Sequence, residues 1–241
     1  MRWLTGLAGF LRDFGGTGEI CSVAGLPMSF DVLARHYRWM EFLLAGDKLQ
    51  RCRTTFLDRV EGVRNILIVG EGNGRFLGEC RRRLPAARIT CVDASEKMLA
   101  LAGARLEHLG LTEGNTSFVQ ADALEWVPPA CAYDLIVTQF FLDCFPADQL
   151  KKTVINLTGG ATPEATWLLA DFNVPPTGVL RYRAKLIHLL MYAFFRAVTK
   201  LPARELTPPE GFLQASGFEL RERQVSEWGL LHTDRWVRTQ M

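Results

Sequence analysis

The strongest constraint on this chain is an alternation. Short apolar runs fall at 66–70, 88–92, 116–120, 133–138 and 166–171, and stretches with helical period fall between them near 75–84, 96–109 and 147–158. Strands separated by helices imply βαβ crossovers, so the pattern predicts an α/β chain with a doubly wound, mostly parallel sheet. Two further runs, "FELRERQV" and "LLHTDRWVR", bring the expected sheet to seven strands and read as an antiparallel edge. With 241 residues and 48% hydrophobic composition, the chain can bury one sizeable core. No internal repeat or low-complexity tract interrupts the alternation.

Two helices are expected before the first strand. "FDVLARHYRWMEFLL" places Val32, Leu33, His36, Trp39, Met40 and Leu43 at helical spacing, and a second helical stretch covers about 48–60. Residues 1–27 read differently. Trp3, Leu4, Leu7, Phe10 and Leu11 have helix-like spacing but too short a run to span a bilayer, and "FGGTGEICSVAGLP" reads as a connector. The expected organisation is an N-terminal extension over 1–27 and a single domain over 28–241. Between the fifth strand and the last pair lies an inserted helix, "RYRAKLIHLLMYAFFRAVTK" at 181–200. It is apolar around most of its circumference, with Arg181, Lys185, His188, Tyr192, Arg196 and Lys200 along one stripe. That stripe either faces water or attracts an anionic or membrane-associated substrate, so peripheral membrane contact is admitted, without a transmembrane segment.

Charge and cysteine usage exclude several classes. A formal net charge of +2 lacks the basic excess of a dedicated nucleic-acid binder. Cys21, Cys52, Cys80, Cys91, Cys131 and Cys144 form no CxxC pair, and the four histidines do not cluster with them. A structural metal site and a disulfide framework are both disfavoured, which fits a reducing, cytoplasmic location.

The first strand runs into glycines: "NILIVGEGNGRF". Ligands of open α/β sheets bind beyond the carboxyl ends of the strands, and Gly70, Gly72 and Gly74 leave room there for close approach. A dinucleotide fingerprint fails in both registers, because Arg75 or Leu77 stands where the third glycine belongs, and no G-K-[ST] closes a phosphate loop. Asp93 ends the second strand in "ITCVDASEKML", the placement of a carboxylate that accepts ribose hydroxyls. Asp122 in "VQADALEW" lies between alanines, where it would accept from an adenine amino group while the ring lies flat. Each acid also has a plain structural reading, Asp93 as a helix N-cap and Asp122 as a turn.

Taken in order, "ILIVGEGNG", "VDASEKML", "VQADA" and "YDLIVTQFFLD" resemble a class I S-adenosylmethionine-dependent methyltransferase, a Rossmann-like fold, of small-molecule type. The resemblance extends from about residue 30 to the C-terminus. It implies that Gly70 and Gly72 lie against the methionine part of the donor, that Asp93 with neighbouring Ala94 holds the ribose, that Ala121, Asp122 and Ala123 frame the adenine, and that Gln139 lines the site after the fourth strand. "FDVLARHYRWM" is similar to the lead-in of small-molecule members, which puts Tyr37 near the donor. One position departs from the family pattern: the acidic residue expected two before the first glycine is Ile68. Nearby Glu71 is the residue placed to take over some of its work.

A sulfonium donor is already activated, so methyl transfer rests on alignment and exclusion of water, and a base is needed only for some acceptors. Asp143, His36, Tyr37 and His188 are the candidate bases, each with a structural alternative. Strand four ends "VTQFF" without the Asn/Asp-Pro-Pro-Tyr arrangement of base-amine methylation, and no acidic and asparagine ligand set for a metal-assisted catechol enzyme is present. Phe140, Phe141, Leu142 and Phe145 then suggest an apolar pocket and a small, partly apolar or anionic acceptor. The rival readings are a noncatalytic S-adenosylmethionine-binding scaffold or sensor, a nicotinamide oxidoreductase and an RNA methyltransferase.

Overall fold

In the computed structural model, residues 46–112, 115–199 and 202–239 are described. The extension and lead-in helix expected over 1–45 lie outside them, and so do Tyr37 and His36. β1 (Asn65–Val69) is apolar on both faces, with Ile66 to Val69 all buried, as a central strand must be. β2 (Arg88–Asp93), β3 (Thr116–Gln120), β4 (Tyr133–Gln139) and β5 (Ala161–Phe172) join it in parallel. β6 (Phe218–Ser226) and β7 (Leu231–Arg238) complete seven strands in the order β3-β2-β1-β4-β5-β7-β6. β7 runs antiparallel to both of its neighbours, so the last pair forms the antiparallel edge with β6 outermost. β5 begins earlier than its apolar run predicts. Residues 161–165 carry Thr162, Pro163 and Glu164, which mask the strand period in the sequence.

Alternate residues of each strand feed two layers. Leu67, Val69, Ile136, Trp167 and Trp236 pack with Leu150, Val154 and Leu157 of the helix Ala147–Gly159 and Leu213 of the helix Glu210–Ala215, while Ile66, Ile68, Leu135 and Val137 pack with Phe76, Leu77 and Cys80 of the helix Arg75–Arg83 and Ala102 and Leu106 of the helix Glu96–His108. The helices concerned are α1 (Gly46–Thr54), α2 (Arg75–Arg83), α3 (Glu96–His108), α4 (Ala147–Gly159), α5 (Gly178–Thr199) and α6 (Glu210–Ala215). The stretch expected as helix to residue 60 breaks after Thr54 and closes with one 3-10 turn, Leu57–Arg59. Trp167 is fully buried and donates its indole N–H to Thr138 Oγ1 at 2.8 Å, tying β5 to β4 beneath the edge-on ring of Phe218. Arg81 is buried too. Its two terminal guanidinium nitrogens donate to the carbonyls of Pro85, Ala87 and Asn115 and to Thr116 Oγ1, which fixes the loop between α2 and β2 against β3.

The chain reverses its direction of travel across the sheet at β1, since β2 and β3 lie on one side and β4 on the other. A crevice beyond the carboxyl ends of β1 and β4 follows from that topology.

Candidate functional site

The loop after β1 is built to keep a helix start bare. Gly70, Gly72 and Gly74 all have φ near +70 to +80°, and a Cβ on Gly74 would meet the backbone of Ala102 at 2.7 Å, so α2 and α3 approach closely. Gly74 caps α2 without a side chain, and Glu71 supplies what it lacks: Oε1 accepts the N–H groups of Phe76 and Leu77 at 2.9 and 3.0 Å. Burial raises the Glu71 pKa to about 7, against the lowering effect of those bonds and of Arg53. Glu71 is therefore turned into α2 rather than into the crevice, and Ile68, at the position where an acid was expected, is buried in the core.

The crevice itself is lined by Val69, Gly70 and Gly72 from β1, Val92, Asp93, Ala94 and Met98 from β2 and α3, Ala121, Asp122 and Ala123 after β3, and Phe140, Phe141, Cys144 and Phe145 after β4. Asp93 is the one of these whose carboxylate accepts from two backbone N–H groups. One carboxylate oxygen accepts from Gly72 N–H at 3.3 Å and the other from Ser95 N–H at 2.9 Å. The N-cap of α3 is Ser95, whose Oγ accepts from Met98 N–H, so Asp93 is not the cap. Asp122 is exposed and closes its own turn, accepting from Leu124 N–H at 2.9 Å.

Gln139 is absent from the lining. It is buried at the end of β4 and donates its amide to the carbonyl of Arg53 at 2.8 Å, leaving Oε1 buried with no partner among the described residues. Phe140 takes the left-handed conformation, φ +53°, which turns its ring onto the Arg53 guanidinium at 5.2 Å and onto Phe172, while Phe141 swings to Gly70. Arg53 was not anticipated from the sequence, because nothing local separates it from the basic residues around it.

Asp143 lies just beyond the crevice in the 3-10 turn Leu142–Cys144, next to the lining residue Cys144, whose thiol approaches its Oδ1 at 3.7 Å. The structure pairs it with a second buried acid: Asp143 N–H donates to Asp171 Oδ2 at 3.2 Å. Burial raises the Asp143 pKa to about 6, and burial together with the Asp143 charge raises Asp171 well above the usual range. Asp171 is the penultimate residue of β5, much as Asp93 ends β2, a signal that the sequence did carry. His188 and Tyr192 descend from α5. Tyr192 donates its hydroxyl to the Asp143 carbonyl at 3.0 Å, and His188 stacks edge-on against Phe172, its Nε2 without a partner among the described residues and its pKa lowered to about 4 by burial. These two residues break the expected stripe of α5: they face inward, whereas Arg181, Lys185 and Arg196 are exposed. Lys200 lies outside the described residues.

Glu210, His232 and Asp234 have metal-like spacing. The Arg223 guanidinium bonds both Asp234 oxygens and Glu210, so a cation already balances them.

Residues 66–160, which include every lining residue of the crevice, match the family model of the methyltransferase domain. Over those residues the chain is similar to a methyltransferase domain. Its seven-stranded sheet has the fold of an O-methyltransferase family protein from Burkholderia thailandensis (TM-score 0.67, 17% identity, 99% of this chain and 71% of that one) and of a SAM-dependent methyltransferase from Methanosarcina mazei (TM-score 0.61, 18% identity, 78% and 98%). In sequence, the chain is 30% identical over 119 residues to malonyl-[acyl-carrier protein] O-methyltransferase of Halalkalibacterium halodurans, covering 48% of this chain. It is 36% identical over 117 residues to trans-aconitate 2-methyltransferase of Streptomyces avermitilis, covering 47%. The match spans 42% of the length of each of these relatives.

Proposed function

We propose that the protein transfers a methyl group from S-adenosylmethionine to a small, partly apolar acceptor. The observation that carries this reading is the Asp93 carboxylate, held against Gly72 in a crevice whose lining lies within the stretch that matches a methyltransferase domain. Its carboxylate already accepts from the N–H groups of Gly72 and Ser95, and such an acceptor suits the hydroxyls of a ribose. Met98, Ala121 and Ala123 offer an apolar slot for a purine beside Asp122. Glu71 does not offer its carboxylate to the donor's amino group.

The donor supplies an activated methyl. The chain's contribution is to position both ligands and keep water out, for which the aromatic wall of Phe140, Phe141 and Phe145 is suited. That wall stands beside the buried acids Asp143 and Asp171, a surrounding that favours a neutral acceptor over a carboxylate. Where the acceptor is a hydroxyl, Asp143 is the base we assign. Its pKa of about 6 lies near working pH, and Cys144 beside it lines the crevice. His188 is a structural ring, neutral at pH 7.

Calorimetric titration with S-adenosylmethionine, S-adenosylhomocysteine and NADH tests the donor, with binding expected for the first two alone. Incubation of protein and donor with metabolite extract, followed by mass spectrometry for species about one methylene heavier, tests the transfer. Absence of donor binding by folded protein sinks the reading, and tight binding without any methylated product turns it into that of a donor-binding scaffold.

A further inference from the structure

α5 buries one face and leaves another apolar face uncovered. Ala184, His188, Met191 and Tyr192 point inward, the last two packing with Cys144 and Phe172 at the rim of the crevice. On the opposite side Val179, Tyr182, Leu186, Leu189 and Leu190 recur at helical spacing and remain open to solvent, Tyr182 at 76% and Leu189 at 64%. Trp228 adds a second exposed aromatic close to α5. It is 73% exposed, on the turn Glu227–Gly229 that packs against α5, and its backbone is held in the left-handed region at φ +62°. A run of large apolar side chains this continuous marks a contact surface rather than scattered surface residues.

Its charge identifies the occupant. The 22 residues of α5 contain four Arg and Lys and no Asp or Glu, in a chain whose totals are nearly balanced at 28 and 26. Arg183 flanks one side of the apolar face, and Lys185 and Arg196, about three turns apart, flank the other. We propose that α5 and Trp228 form a docking surface for an anionic lipid bilayer. Leucines enter the acyl boundary, Tyr182 and Trp228 sit at headgroup level and the cations face anionic headgroups. No described helix is long and apolar enough to cross a membrane, so the helix lies in the interface plane. The inner face of the same helix touches the crevice rim, which places that rim next to the lipid surface.

The test is co-sedimentation of the full chain with vesicles of phosphatidylcholine, alone or with phosphatidylglycerol. Neither donor nor acceptor is present, so the outcome is independent of methyl transfer. Binding is expected on the anionic vesicles at low salt and should be much weaker on the neutral ones. Lys185→Gln with Arg196→Gln should lower partitioning about 10- to 30-fold at low ionic strength, roughly fivefold per cation. Leu186→Glu with Leu189→Glu should abolish it at an unchanged melting temperature, and Trp228→Ser, on a turn outside the helix, gives an independent loss if the helix variant proves unstable. The proposal is overturned by no binding to anionic vesicles, by binding that these variants leave intact, or by a concentration-dependent dimer that the Glu variants dissolve and that binds no vesicle.

Discussion

A Cβ built on Gly70 stands 2.2 Å from Cδ2 of Phe141. The residue that leaves β1 and the ring that follows β4 thus share a volume that admits only a hydrogen atom, at the switch in strand order where the crevice opens.

Gly70→Ala should therefore fail twice. The position has φ +70°, which costs an L-residue about 1–2 kcal/mol, and the methyl must displace the Phe141 ring. Urea denaturation should show a loss of about 2–4 kcal/mol, and donor affinity should fall with it. In the double variant with Phe141→Ala the steric part should be recovered and the backbone part retained.

Asp93→Ala should weaken S-adenosylmethionine and its demethylated product equally, because both carry the same ribose. Loss of charge-assisted bonds is worth about 1.5–3 kcal/mol, or roughly 10- to 100-fold in Kd. Calorimetry on folded protein checks this, and unchanged affinity for both ligands would remove Asp93 from the site.

Glu71 gives a pH dependence of definite sign. Its folded pKa of about 7 lies above the ordinary value of 4.5, so between these limits the native state binds the extra proton. Stability from this group is full below about pH 4.5 and is lost as pH rises through 7, by at most on the order of 3 kcal/mol. Glu71→Gln retains an acceptor for Phe76 and Leu77 and removes the titration. Relative to wild type, its urea midpoint should rise as pH goes from 4.5 to 7.5.

His188 has the opposite sign. Burial lowers its folded pKa to about 4 from 6.5, so the unfolded chain takes the proton first and stability from this group is lost as pH falls from 6.5 through 4. His188→Leu also removes the unpartnered Nε2. Its advantage in melting temperature over wild type should grow across that window, and a constant difference would show that the ring is not buried neutral.

Replacing Asp143 with Asn should relieve the repulsion between the two buried acids. The variant should gain stability over wild type at pH 8 and little at pH 4, where both carboxyls of the wild type carry protons. Chemical denaturation at the two pH values measures it.

Much of the frame was legible from neighbouring residues. The apolar run 66–70, the glycines that follow it and the helical period after Arg75 are local signals, because strand pleat, turn conformation and helix period are set by residues a few positions apart. Asp93 at the end of its strand was legible for the same reason, since the carboxyl ends of parallel strands share one edge in this class of fold. What Glu71 and Gln139 do was not. One caps α2 and the other faces Arg53, and both outcomes depend on which helix lies over the strand ends.

Period and backbone chemistry along the chain set the alternating α/β frame, the bare turn after β1 and the acids available near it. Only tertiary structure decided that Asp143 meets Asp171, that Arg53 lies on Phe140, and that α5 turns His188 and Tyr192 inward while leaving Leu186 and Leu189 outside. Those pairings join segments far apart in the chain. Strand order and helix rotation fix them, through packing that no local window of residues contains.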